Sequence, residues 1–167
     1  MKRLHKTWLL WLLPLLLTAC GWHLRGLLDL SPQLKQVYIN THPPNSPLVF
    51  DLKQQLRANH AVIVASPDLA KSIITLGKLH FQNRLTSQTG GGEAGQYTIT
   101  MSTTFSVKAT NGKVLLPLTL AQSSRQYNSN ASQVLSMNSK IDTLSEQMRQ
   151  QISNAILNQL AKIPDAS

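Results

Sequence analysis

Carboxylates are scarce in this chain: seven Asp and Glu stand against 16 Lys and Arg in 167 residues. Paired acids for general acid and base work are therefore hard to assemble. There is one cysteine, Cys20, so no disulfide forms within the chain and no thiolate cluster can hold zinc. The five histidines, His5, His23, His42, His60 and His80, show no metal-ligand spacing. A Gly-x-Ser-x-Gly nucleophile elbow is missing, as is any evident pairing of nucleophile with base. No run of about 20 apolar residues occurs, which excludes a spanning helix, and no repeat of 20 to 50 residues points to a solenoid or propeller. Together these gaps set catalysis aside and call for no cofactor.

What is present begins at the N-terminus. Lys2, Arg3 and Lys6 precede an apolar run from Trp8 to Leu17 broken only by Pro14, the layout of a secretory leader. It closes on Leu17-Thr18-Ala19-Cys20. Small residues ahead of a cysteine, with Leu three positions before it, form the pattern of a bacterial lipoprotein signal, in which the thiol is diacylated and becomes the new N-terminus. Residues 1–19 are thus expected to be removed and Cys20 to carry the lipid. One acyl chain holds marginally and several anchor durably, at about 0.8 kcal/mol per buried methylene. Gly21, in the place where an acid would favour inner-membrane retention in lipoproteins generally, points to the outer membrane of a Gram-negative bacterium.

Removal of the leader leaves 148 residues, enough for one domain at 20–167 with a single core. The leader takes three cations and no acid with it, leaving a mature excess of +6. Such a balance favours acidic partners. For an exported protein the available polyanion is anionic lipid or lipopolysaccharide rather than nucleic acid.

Along the chain, Val37 and Ile39 alternate with polar neighbours in a strand at Gln36 to Asn40. Ser46 and Pro47 supply a cap and a first helical position. Leu48, Val49, Leu52 and Leu56 follow at helical spacing, and Asn59 is the stop. Ala61 to Ala65 reads as a short strand or an extended approach to one. Ser72 to Gln82 reads as a strand with Ile73, Leu79 and Phe81 inward. Gln96 to Thr110 reads as a longer one with Tyr97, Ile99, Met101, Phe105 and Val107 sharing a face. Residues Arg84 to Gly95 between them form a long polar hairpin tip. The Gly-rich part of that tip is no phosphate loop, because a strand rather than a helix follows it. Asn111-Gly112 predicts a two-residue turn. The next strand, Lys113 to Tyr127, is expected to turn Val114, Leu116, Leu118 and Leu120 inward, with Pro117 marking an edge or a bulge. A final helix, firm from Ile141, carries the stripe Leu144, Met148, Ile152, Ala155, Ile156, Leu160 and Ile163 and stops at Pro164. The order predicts an α+β two-layer sandwich: a mainly antiparallel sheet of four or five strands with two helices packed on one face.

Strand parity nominates a ligand surface. With Ile73, Leu79 and Phe81 inward, Lys78 points outward, and the same parity puts Lys108 and Arg125 outward on the next two strands. Arg and Lys recognise phosphate by charge-assisted hydrogen bonds, so three cations on one sheet face would suit an acidic ligand. The competing reading of each is a lysine or arginine that keeps a strand from aggregating.

Several of these features, Cys20-Gly21-Trp22-His23-Leu24-Arg25 above all, with Leu76-Gly77-Lys78, Gln96-Tyr97 and the helix ending at Ile163-Pro164, resemble the LptE family of lipopolysaccharide-assembly lipoproteins. The resemblance implies a non-enzymatic plug and assembly factor of the outer-membrane β-barrel LptD that binds lipopolysaccharide during its delivery to the outer leaflet. It implies the same two-layer fold. The family's basic ligand-binding positions fall near Gly90 and Met137, so Arg84 and Lys140 are their nearest basic counterparts here. Two other functions fit the export pattern: a lipoprotein scaffold that binds a protein partner without lipid ligand, and an envelope hydrolase, which the missing catalytic groups disfavour.

Overall fold

The computed structural model describes residues 28–88, 94–130 and 134–165. Six strands and two long helices follow one another: β1 (Gln36–Thr41), α1 (Pro47–Ala58), β2 (Val62–Ile63), β3 (Ser72–Leu76), β4 (His80–Gln88), β5 (Ala94–Ala109), β6 (Val114–Asn130) and α2 (Val134–Leu160). They form an α+β fold with a mixed sheet, not a mainly antiparallel one of four or five strands. β1 pairs in parallel with both β2 and β3, and β3, β4 and β6 are antiparallel to β5. The parallel part follows from α1, a helical crossover that carries the chain back to the end of the sheet where β1 began.

Local chemistry sets the bounds of α1. Ser46 Oγ accepts from the Val49 N–H, Pro47 occupies the first turn, and Asn59 caps the end through its backbone N–H. Leu48, Val49, Leu52 and Leu56 are buried as their spacing predicts, whereas Phe50 stands exposed. In α2 the buried stripe is Met148, Ile152, Ile156 and Leu160, joined by Leu157, with Ile163 buried just beyond the helix. α2 begins seven residues ahead of Ile141. The two helices are tied by Arg149 Nε, which donates to Asp51 Oδ2 at 2.7 Å with both side chains mostly buried. Arg149→Ala is expected to cost about 1–3 kcal/mol, since the Asp51 carboxylate keeps its burial and loses its donor. Urea unfolding should show this as a lower midpoint at unchanged slope.

The inner face of the sheet runs through Val37, Ile39, Ile74, Leu76, Phe105 and Val107, whose cross-strand registers put them on one side. Both helices contribute to the core on this side. Ile99 and Met101 extend the stripe along β5, and Tyr97 packs against it.

Three expectations fail at irregularities. The stretch from Ser72 to Gln82 is two strands, β3 and β4, which pair end to end along the same edge of β5. Leu76 pairs with Phe105 and Phe81 with Met101, so five steps of chain on this side match four on β5. The extra residue reverses parity: Ile73 faces outward, and Leu79 and Lys78 lie in the link. Gly77 sits at this break, where its N–H donates to the Thr104 carbonyl at 2.8 Å and an added Cβ would fall 2.7 Å from Thr104 Oγ1.

On β6 the shift is larger. Thr119 pairs with Phe105 and Val114 with Lys108, five steps against three. These bulges surround Pro117, which cannot donate to a ladder, on an edge strand. Beyond them the odd positions face inward, burying Ala121, Ser123 and Tyr127, while Val114, Leu118 and Leu120, expected in the core, are exposed. Leu115 and Leu116 both pack against the core. Finally, the turn after β5 has three residues rather than two. Ala109 N–H donates to the Lys113 carbonyl, Gly112 N–H to the Ala109 carbonyl, and Gly112 alone takes positive φ, at 86°. That is a type I turn closed by a left-handed residue. Of Ala61 to Ala65, only Val62–Ile63 pairs in the sheet.

Candidate functional site

The five basic residues do not converge. Lys108 lies opposite Ile73 and Val114, and Arg84 opposite Thr98, so both are on the outer sheet face. Lys108 and Thr98 are ten residues apart on β5, about 33 Å at strand rise. Lys78 belongs to the link between β3 and β4. Arg125 corrects the expectation most sharply. It pairs with Ile99, whose side chain is fully buried, so it stands on the inner face and not the outer one. The three-residue turn is the cause: it sets Val114 opposite outward-facing Lys108, so the odd positions of β6 face inward, and the two extra residues around Pro117 bring Leu116 inward and then restore that parity. Lys140 is exposed on α2, near the end where β6 gives way to that helix. Cys20, residues 89–93 of the tip and the side chain of Met137 lie outside the described residues.

Arg125 has a distinctive neighbourhood that parity alone did not reveal. On the same face, Asn83 of β4 also pairs with Ile99, Leu85 with Tyr97, and Tyr97 with Tyr127. The two tyrosine rings stack with centroids 5.4 Å apart and planes 17° apart. Asn83 Nδ2 donates to Tyr127 Oη at 2.8 Å, which satisfies a phenol in a residue that is otherwise buried. Ser123 Oγ donates to Gln151 Oε1 at 2.8 Å and marks where α2 lies against β6. Farther across the face the cover is incomplete: Phe81 is 47% exposed and Leu85 44%. A guanidinium beside stacked aromatics, with uncovered apolar side chains on the next strand but one, can meet a ligand that has both a phosphate and an acyl chain. The signal for Phe81 and Leu85 was the alternation in Phe81-Gln82-Asn83-Arg84-Leu85, but whether a helix reaches over them is a tertiary matter.

The outer face of the same strands is polar, with Gln82, Thr98, Thr100, Ser124 and Gln126 in register. Among the described residues no group of three His, Cys, Asp or Glu could hold a metal ion. No described helix is long and apolar enough to cross a membrane.

Comparison with known proteins places this arrangement. The model of the lipopolysaccharide-assembly family LptE matches residues 34–160, which spans β1 to the last residue of α2. The chain belongs to the LptE family. The LPS-assembly lipoprotein LptE of Photorhabdus laumondii is 26% identical over 160 residues, covering 96% of this chain and 87% of that protein. Its counterpart in Yersinia enterocolitica is 36% identical over 59 residues, a segment that covers 35% of this chain and 28% of the relative. Among solved structures, lipoprotein B from Nitrosomonas europaea superposes with a TM-score of 0.70 at 20% identity, covering 84% of this chain and 90% of that one. A minor lipoprotein from Acinetobacter baumannii gives 0.66 at 16% identity, covering 80% and 97%. At such identities these two show a shared fold and nothing finer. The LptE match includes all five candidate cations and excludes Cys20.

Proposed function

We propose that the mature chain, residues 20–167, is an outer-membrane lipoprotein anchored through acylated Cys20. In this reading it acts without catalysis as plug and assembly factor of an LptD-like β-barrel and binds lipopolysaccharide during delivery to the outer leaflet. Membership of the LptE family carries it. The open inner face supports the ligand part: Arg125, with Lys140 near the same end, offers charge to lipid A phosphates while Phe81 and Leu85 offer apolar surface to its acyl chains. Exposed Leu118 and Leu120 on edge strand β6 support contact with a protein partner.

The test divides the cations by face. Arg125→Ser with Lys140→Ser should weaken lipopolysaccharide binding at low salt by about tenfold, equivalent to about 1.4 kcal/mol, with the barrel still recovered in a pull-down. Lys78→Ser with Lys108→Ser should leave binding within about twofold, as expected of solvated charges. Unchanged binding in both variants would favour a scaffold that holds a barrel without lipid ligand.

A further inference from the structure

One end of the domain collects lysines that the ligand reading does not use. There β1 and β3 begin, β5 turns into β6, and both helices terminate. The segments interlock: Lys71 N–H donates to the Gln36 carbonyl, Thr110 N–H to the Lys71 carbonyl, and Val62 N–H to the Lys35 carbonyl. A cavity of about 540 Å³ between them is lined by Lys71 and Lys113 with Thr110 and Asn111, and by no carboxylate. Gln33, also in its wall, has a buried side-chain oxygen without a partner. Beside it a second cavity, of about 380 Å³, is lined by Lys35 and Lys162 with Asp29 and Asp165, and the 93% buried Ser31 in its wall has an unpartnered hydroxyl. None of the four lysines meets a described carboxylate within ion-pair distance; the ion pair among the described residues is Arg149 with Asp51.

The chain enters at this same end. Leu28, the first described residue, donates its N–H to Asn59 Oδ1 at 2.8 Å, which fixes the start of the fold beside the terminus of α1. Seven residues lie between Cys20 and Leu28, and the eight steps that join them reach at most about 28 Å when fully extended. Acyl chains on Cys20 therefore hold the lysine-rimmed end, and not the far end of the β4–β6 strands, close to the bilayer surface.

We propose that this end rests on anionic phospholipid headgroups of the leaflet that takes up the Cys20 acyl chains, with Lys71 and Lys113 contacting headgroup phosphates. The inference depends on the acylation of Cys20. Lysine ammoniums without carboxylate partners on one surface complement a negatively charged leaflet, and the attraction reaches about 8 Å at physiological ionic strength. The tether supplies proximity, so weak individual contacts act at high effective concentration.

The full mature protein, purified with its lipid, can be reconstituted on vesicles of phosphatidylethanolamine alone and on vesicles of phosphatidylethanolamine with phosphatidylglycerol. Lysine modification by an amine-reactive reagent is then read residue by residue by mass spectrometry. Lys71 and Lys113 should react several-fold more slowly on the anionic vesicles, added salt should restore their rates, and Lys140, on the other half of the domain, should be unaffected. Equal rates for Lys71 and Lys113 on the two vesicles, in a protein that floats with them, would overturn the headgroup contact alone. So would slowing that includes Lys140 equally, or protection that requires a co-reconstituted barrel protein. A chain that does not float with vesicles overturns the anchoring and this inference with it.

Discussion

A stop codon at Leu144 is expected to yield a chain that aggregates rather than folds. It removes Met148, Ile152, Ile156, Leu157 and Leu160, each at least 95% buried against the sheet and α1. Burying a side chain of this size contributes about 1.5–3 kcal/mol, so the five together account for something on the order of 10 kcal/mol. That is comparable with the whole stability of a typical domain. The loss also strips Arg149 from Asp51 and leaves a carboxylate on α1 with no partner among the described residues. Size-exclusion chromatography and near-ultraviolet circular dichroism read the outcome. A monomer with native aromatic signals would refute the claim that α2 is the cover of the inner face. Ile152→Ala in the full chain is the milder control: a cooperative transition should survive, displaced by about 2–5 kcal/mol.

The second large effect concerns Cys20. Mass spectrometry of membrane-extracted protein should find residues 1–19 gone and acyl mass on Cys20. In the absence of a barrel partner, Cys20→Ala, exported behind a leader cleaved ahead of position 20, should leave the membrane fraction almost completely, by more than about a hundredfold. At about 0.8 kcal/mol per methylene, the two or three acyl chains far outweigh what surface lysines can hold. No described helix is long and apolar enough to cross a membrane in their place. An unmodified thiol, or a Cys20→Ala protein that stays membrane-bound in the absence of a barrel partner, would sink the lipoprotein reading. The same variant tests whether the domain folds without lipid, and a single cooperative unfolding transition is expected from its continuous core.

Much of the architecture was legible because its causes are local. The bounds of α1 come from Ser46, Pro47 and Asn59, three residues whose capping chemistry needs no partner element. The α2 stripe is a period of three and four that has one physical solution, a helix with one buried side. The inward set of β5 survives because that strand is unbroken for 16 residues, so parity runs through it without interruption. Even the Pro117 anomaly could be read as an edge or a bulge, and it is both.

What the sequence alone could not determine depends on partners. That β1 lies parallel to β2 and β3 follows from where α1 returns the chain. The six-stranded mixed sheet follows from β3 and β4 sharing one edge of β5. Parity fails at each irregularity: one extra residue at Gly77 turns Ile73 outward, the three-residue turn before β6 sets Val114, Leu118 and Leu120 on the surface and Arg125 on the inner face, and of the two bulges around Pro117 the first brings Leu116 inward and the second restores the strand's parity. A strand's side-chain period is two, so a single unpaired residue reassigns every position beyond it. Amino-acid identity determined which segments form and which residues carry charge. Only the tertiary register decided which of those charges stand together, because facing is a property of a paired strand.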